Sequence, residues 1–153
     1  MPSHIVIADA STVIGLLRID SLILLENLYQ SIEITSIVNN EINVELPDWI
    51  SINDSYNDSV FKTLVPSLDE GEASSIALAL EYKDVLLIID EKKGRRQAKE
   101  MGIRITGLVG IIIQAKKKGH INSGKEKLEA LKEEGFHLSE KVYSLALSKM
   151  GEN

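Results

Sequence analysis

Four short runs constrain this chain most: HIVIA (4–8), IEIT (32–35), VLLII (85–89) and IRIT (103–106). The first and third are apolar almost from end to end, instead of alternating apolar with polar. A strand of that kind has to be covered on both faces. Segments with helical spacing separate the runs, so neighbouring strands cannot close as hairpins. The pattern predicts a parallel sheet with helices on both faces, an α/β fold. A weaker run, WISIN (49–53), makes the sheet four- or five-stranded. At 153 residues the chain suits one domain of about 100–200 residues. Residues 1–153 are therefore expected to form a single domain, with C-terminal helices at about 124–149.

The intervening helices are expected at 11–19 and 22–29, with Ser11 and Ser21 as caps, and at 36–45, capped by Ser36. A short helix is expected at 55–65. SLDEGEASSIALALEYK (67–83) gives the clearest helix, with Ser67 and Glu70 at capping-box spacing. Further helices are expected at 91–101, stopped by Gly102, and at 108–118, stopped by Gly119. Another, at 124–134, opens on Ser123 and Glu126 and closes at Gly135, and the last covers about 139–149. The charged run KEKLEALKEE (125–134) reads as a solvated helix face.

Composition removes several functions. Net charge is −6, so any affinity for nucleic acid must come from a local basic patch. The absence of cysteine removes disulfides, thiolate zinc sites and a cysteine nucleophile. The start, MPSHIVIADAS, lacks the charged-then-apolar pattern of a signal peptide, and no run reaches the roughly 18 apolar residues of a membrane span. A cytoplasmic protein is expected. No phosphate-binding loop, dinucleotide fingerprint, G-x-S-x-G elbow or D-x-D start is present. His4, His120 and His137 are scattered without metal-ligand spacing.

Carboxylates remain. In open parallel sheets, sites form outside the carboxyl ends of the strands. Asp9 leaves the first strand there, and Asp90 leaves the 85–89 strand there. Glu41 shares an apolar helical stripe with Ile37 and Val38, and Glu72 heads an inward stripe with Ile76 and Leu80. A buried carboxylate needs a partner. Two readings stand open: each acid caps a helix or pairs locally with Lys or Arg, or all four share a divalent cation. Oxygen-only ligands favour Mg²⁺ or Mn²⁺ over zinc.

The blocks VIADAS, LDEGEASSIALALE, LLIIDEKKGRRQAKEMG and ITGLVGIIIQAKKKGHI, spread over residues 5–121, make the chain resemble the PIN domain family. The resemblance is to a prokaryotic PIN-like subfamily marked by the GEA and D-E-x-x-G-R motifs. The family includes VapC-like toxins of toxin–antitoxin pairs. The resemblance implies a three-layer α/β/α sandwich and an acidic pocket that holds Mg²⁺ or Mn²⁺. It implies a nuclease that hydrolyses RNA phosphodiester bonds through a metal-activated water. Carried over by motif, the acids are Asp9, Glu41, Glu72 and Asp90, with Glu91 as an auxiliary ligand and Ser11 a hydrogen-bonding neighbour. Two positions depart from the pattern: Ile88 stands where many PIN toxins have a hydroxyl residue, and Leu108 where a small polar residue is expected.

The expected activity is that of a metal-dependent ribonuclease, the toxin of a toxin–antitoxin pair. Its partners would be RNA, a small antitoxin protein and a second copy of the chain. The apolar segment 11–28 is either the surface for such contacts or simply core. Lys92, Lys93 and Arg96, directly after the fourth acid, are expected to contact the RNA backbone, or else form a solvated helix face. Arg95 is expected to face inward and pair with an acid. Gly94, Ala98 and Met101 are the expected packing stripe of that helix. The alternatives are a catalytically weak PIN-like protein-interaction module and a DNA nuclease.

Overall fold

The computed structural model describes residues 5–153. His4, which the first run included, lies outside them. Five parallel strands form one sheet: β1 (Ile5–Ala8), β2 (Ile32–Ile34), β3 (Ile50–Ile52), β4 (Val85–Ile88) and β5 (Arg104–Thr106), in the order β3-β2-β1-β4-β5. The nine described helices are α1 (Ala10–Arg18), α2 (Ile23–Tyr29), α3 (Ser36–Ile42), α4 (Asp58–Leu64), α5 (Glu70–Ala79), α6 (Lys92–Glu100), α7 (Leu108–Lys117), α8 (Gly124–Glu133) and α9 (Glu140–Met150). The chain winds outward from β1 to β3, then returns to the far side of β1 through β4. Strand order therefore reverses between β1 and β4, and a crevice opens there at the carboxyl ends.

Alternate residues of the central strands enter different cores, as a doubly covered sheet requires. Val6, Ala8 and Ile88 join one cluster with residues of α1, α2, α3, α7, α8 and α9. Ile7, Val85, Leu87 and Ile89 join the other, with α4, α5 and α6. Burying a side chain such as Ile7 or Leu87 contributes about 1.5–3 kcal/mol. The architecture is the three-layer α/β/α sandwich.

Helix α5 occupies the centre of its layer, against α3, α4, α6, β1 and β4. Every residue from Gly71 to Ala79 is buried. Its small Gly, Ala and Ser side chains permit this close approach. The Ser74 and Ser75 hydroxyls donate back to the Gly71 carbonyl, so neither is left unpaired. This helix is shorter than the expected 67–83, and buried on all sides instead of along one stripe.

Several caps differ from expectation, at three helices by the choice of a neighbouring polar residue and at α2 by the lack of a side-chain cap among the described residues. Asp9 caps α1, and Ser11 is exposed in the first turn. No side chain caps α2; the Ser21 hydroxyl donates to the Ile19 carbonyl. Thr35, not Ser36, caps α3. Asp69, not Ser67, caps α5 by accepting from the Glu72 amide at 2.8 Å. Ser123 caps α8 as expected. Gly102, Gly119 and Gly135 all take positive φ after their helices, at +80°, +78° and +94°, which an L side chain resists. Gly94 and Ala98 are buried in α6 as expected, but Met101 lies at the helix end and is 36% exposed.

Candidate active site

Asp9 and Asp90 meet at the switch point. The Asp9 side chain is 2% exposed. Its Oδ1 accepts from the Thr12 amide at 2.9 Å, and its Oδ2 accepts from the Asp90 amide at 3.1 Å. Burial raises its pKa from 3.8 to about 6. The amides of Thr12 and Asp90 act against that rise, and the Asp90 charge adds to it. The Thr12 hydroxyl, fully buried nearby, forms no hydrogen bond within the described residues. Asp90 is half-buried, and its Oδ1 accepts from the Leu108 amide at 3.2 Å. Gly107 begins α7 without a capping side chain of its own, so Asp90 supplies one from another element.

Glu72 follows from the position of α5. It is 7% exposed. Burial, then the charges of Asp69 and Glu91 and, more weakly, Asp9, push its pKa to about 8. Glu41 departs from expectation. Its residue is exposed in the last turn of α3, although its carboxylate lies against Gly71 of α5. Burial of its carboxyl tip nevertheless raises its pKa, with the charges of Asp69 and Asp9 adding to the effect. Asp69, which sequence reasoning missed, thus acts on both glutamates. Its signal was a place two residues before Gly71 in the GEA block.

Three glycines make room for the acids. A Cβ on Gly71 would stand 2.5 Å from Glu41 Oε1, and one on Gly107 would stand 2.8 Å from Asp90 Oδ1. A Cβ on Gly94 would stand 2.6 Å from Ile89 Cδ1 and 3.2 Å from Glu72 Oε2. These are the glycines of GEA, of the stretch after Asp90 and of the TGLVG turn. The motifs carry space as well as charge.

Other predicted residues are placed as follows. Glu91 is exposed at the start of α6 and makes no side-chain cap bond. Lys92, Lys93 and Arg96 are exposed on α6. Arg95 does turn inward, but it forms no ion pair with an acid. Its Nη1 donates to the Ile89 carbonyl at 2.8 Å, a backbone acceptor closer than any carboxylate. Ile88 is wholly buried in the core, so its side chain does not reach the crevice. The Leu108 side chain is core, and its amide serves the site.

The chemistry of the donors suits a hard divalent cation. All are oxygens, and none of the four acids takes part in an ion pair among the described residues. Asp9, Glu41 and Glu72 are each held above the ordinary carboxylate range by burial and neighbouring negative charge. The side chains are not, however, drawn in around one point. Among the described residues, no three His, Asp or Glu groups stand close enough to hold one ion. Asp9 and Asp90 accept from amides, and Glu41 lies against Gly71.

A three-layer α/β/α protein with an acidic crevice at its switch point is the class these features define. A family model described as a PIN domain, DUF3368, matches residues 5–152, and the chain belongs to that family. Neither the curated proteins nor the solved structures gave a match. The PIN domain is a nuclease-type fold, and PIN nucleases typically use divalent metals. No described helix is long and apolar enough to cross a membrane.

Proposed function

We propose that this chain is a ribonuclease that hydrolyses RNA phosphodiester bonds with Mg²⁺ or Mn²⁺. Asp9, Glu41, Glu72 and Asp90 would hold the ion, with Glu91 as auxiliary. The observation that carries the reading is the Asp9–Asp90 pair. Two carboxylates leave adjacent strands at the switch point, joined through one 3.1 Å hydrogen bond, with no cationic side chain among the described residues paired to either. A divalent cation, when bound, lowers the pKa of a water and offsets charge on the phosphate. Asp9 and Asp90 are the primary ligands because backbone amides already orient them. Glu41 and Glu72 complete the pocket from two helices, and one of them orients the attacking water. Lys92, Lys93 and Arg96, exposed beside Asp90, hold the RNA backbone.

The proposal extends to a single cytoplasmic domain acting as the toxin of a toxin–antitoxin pair, with a small antitoxin protein and a homodimer as its assemblies. The surface offered for such contacts is small. The apolar residues of α1 and α2 are mostly buried in the core or packed against it, and Ile23, 51% exposed, is their main projecting apolar residue. Light scattering that shows a strict monomer at high concentration would remove the dimer. Harmless overexpression without the neighbouring gene product would count against the toxin role.

The separation of the carboxylates favours a second reading, a PIN-like module that binds other proteins and cuts poorly. Cleavage of matched RNA and DNA oligonucleotides in Mg²⁺, Mn²⁺ or EDTA separates these. The ribonuclease reading expects metal-dependent cleavage of RNA, lost in Asp9→Asn and Asp90→Asn. Asn still caps a helix, so α1 survives the first change. Full activity in both variants removes the acids from the chemistry. Cleavage of DNA in preference to RNA makes the chain a DNA nuclease. No cleavage of either by the unaltered protein supports the second reading.

A further inference from the structure

A groove of about 590 Å³ is lined by Asp90, the start of α7, the α8–α9 corner and Lys149. Its size falls in the range of about 300–1,000 Å³ that accommodates small ligands. Of the four acids, Asp90 alone lines it. Every other charged group on its wall is basic: Lys92, Arg95 and Lys149. In a chain of net charge −6 this is a local reversal of sign. The rest of the wall is largely apolar, and two of its residues, Val142 and Leu145, remain 42% and 53% exposed. Lys93 and Arg96 do not line it.

We propose that this groove is the path of the single-stranded RNA on one side of the cleavage point. Lys92 and Lys149 grip successive phosphates, and the apolar face at Val142 and Leu145 takes a base. The proposal rests on the nuclease reading of the acids. A flexible polyanion with flat apolar bases matches both halves of the wall: basic groups that track the backbone and an apolar surface that accepts any base. Continuity with Asp90 places the strand's next nucleotide there once a phosphate sits at the acids. The α8–α9 corner thereby sets how much RNA the protein holds beyond the cut.

The test is equilibrium binding of a fluorescent mixed-sequence RNA oligonucleotide in EDTA, where nothing is cut, across a salt series. Lys149→Glu and Lys92→Glu should each weaken binding at least about fivefold. Each should also flatten the slope of log affinity against log salt by about 0.7 or more for every phosphate the variant no longer neutralises. Leu145→Asp should weaken binding similarly, and its exposure keeps the fold safe. Lys141→Glu, the same charge change on α9 outside the groove, should stay within about twofold. Metal-dependent cleavage by the unaltered protein, together with unchanged binding in all three groove variants, overturns the groove and leaves the nuclease reading intact. If those variants instead lose a co-purifying small protein, the groove is a protein-docking surface. Groove-dependent binding with no cleavage in Mg²⁺ or Mn²⁺ overturns the nuclease reading and keeps the groove. No measurable binding by the unaltered protein overturns the groove as well.

Discussion

Glu72→Gln should make the metal-free protein more stable at alkaline pH. The residue is 7% exposed while its carboxyl is only about half enclosed, and its pKa rises from 4.5 to about 8 through burial first, then the charges of Asp69 and Glu91. A carboxyl whose folded pKa exceeds its unfolded value binds more protons in the native state. Native stability then falls as pH climbs from about 4.5 to about 8, and the loss is complete above that window. At about 1.36 kcal/mol per pH unit, the rise corresponds to about 5 kcal/mol as an upper value. Water in the open crevice screens the charge and reduces this to about 2 kcal/mol. Gln keeps the shape and removes the ionisation. In EDTA the variant should therefore melt about 4–8 °C above the unaltered protein near pH 9, and at nearly the same temperature near pH 4.5. Asp9, raised to about 6 by its own burial, stays in both proteins and leaves a shallower fall at lower pH. Mg²⁺ or Mn²⁺ should raise the melting temperature of the unaltered protein at high pH and that of the variant much less. Thermal melts with parallel pH dependence in EDTA for the two proteins would refute the reasoning.

Two further predictions concern the frame around the site. Thr35 is wholly buried, accepts from the Val38 amide at 3.2 Å and bonds Ser74 at 2.7 Å, so Thr35→Ala should cost about 1–2 kcal/mol in urea denaturation. Ser36→Ala should stay within about 0.5 kcal/mol; equal losses would restore Ser36 as the cap. Glu152 accepts from the Gly124 amide at 2.8 Å and the Lys125 amide at 3.2 Å, and its carboxylate lies 3.6 Å from Lys116. Burial acts against ionisation, but those amides, Lys116 and Ser123 outweigh it and hold the pKa low. Its stabilisation is therefore present above the ordinary Glu value and is lost as pH falls through the lowered one. Glu152→Gln should cost up to about 1 kcal/mol at neutral pH and nothing in acid, and a cost that persists in acid would show packing instead of charge.

The fold was legible because its signals are local. Apolar runs covered on both faces demand helices on both sides, and glycine is what a chain uses to turn after a helix, as at Gly102, Gly119 and Gly135. The caps were less legible because adjacent polar residues compete. In Asp-Ala-Ser, Thr-Ser and Ser-Leu-Asp the choice depends on which residue takes the extended backbone just before the first turn. Asp9, Thr35 and Asp69 do so, and the serines do not.

What stayed hidden depends on contacts between distant segments. Periodicity gave Glu41 a face, but not that its residue would stay exposed with only its carboxylate set against Gly71. Arg95 could be seen to turn inward, but not that the Ile89 carbonyl would reach it first. The groove joins α6 and the start of α7 to the α8–α9 corner, so no local stretch of sequence displays its charge. Gly71, Gly94 and Gly107 are the clearest instance. Each reads as a motif letter, while the carboxylate it accommodates comes from another element: Glu41 from α3, Glu72 from α5 and Asp90 from the end of β4. A side chain at Gly71 would press on Glu41, one at Gly107 on Arg95 and Asp90 together, and one at Gly94 on Ile89 first and Glu72 more lightly, so the spacing of the carboxylates rests in part on positions that carry no charge.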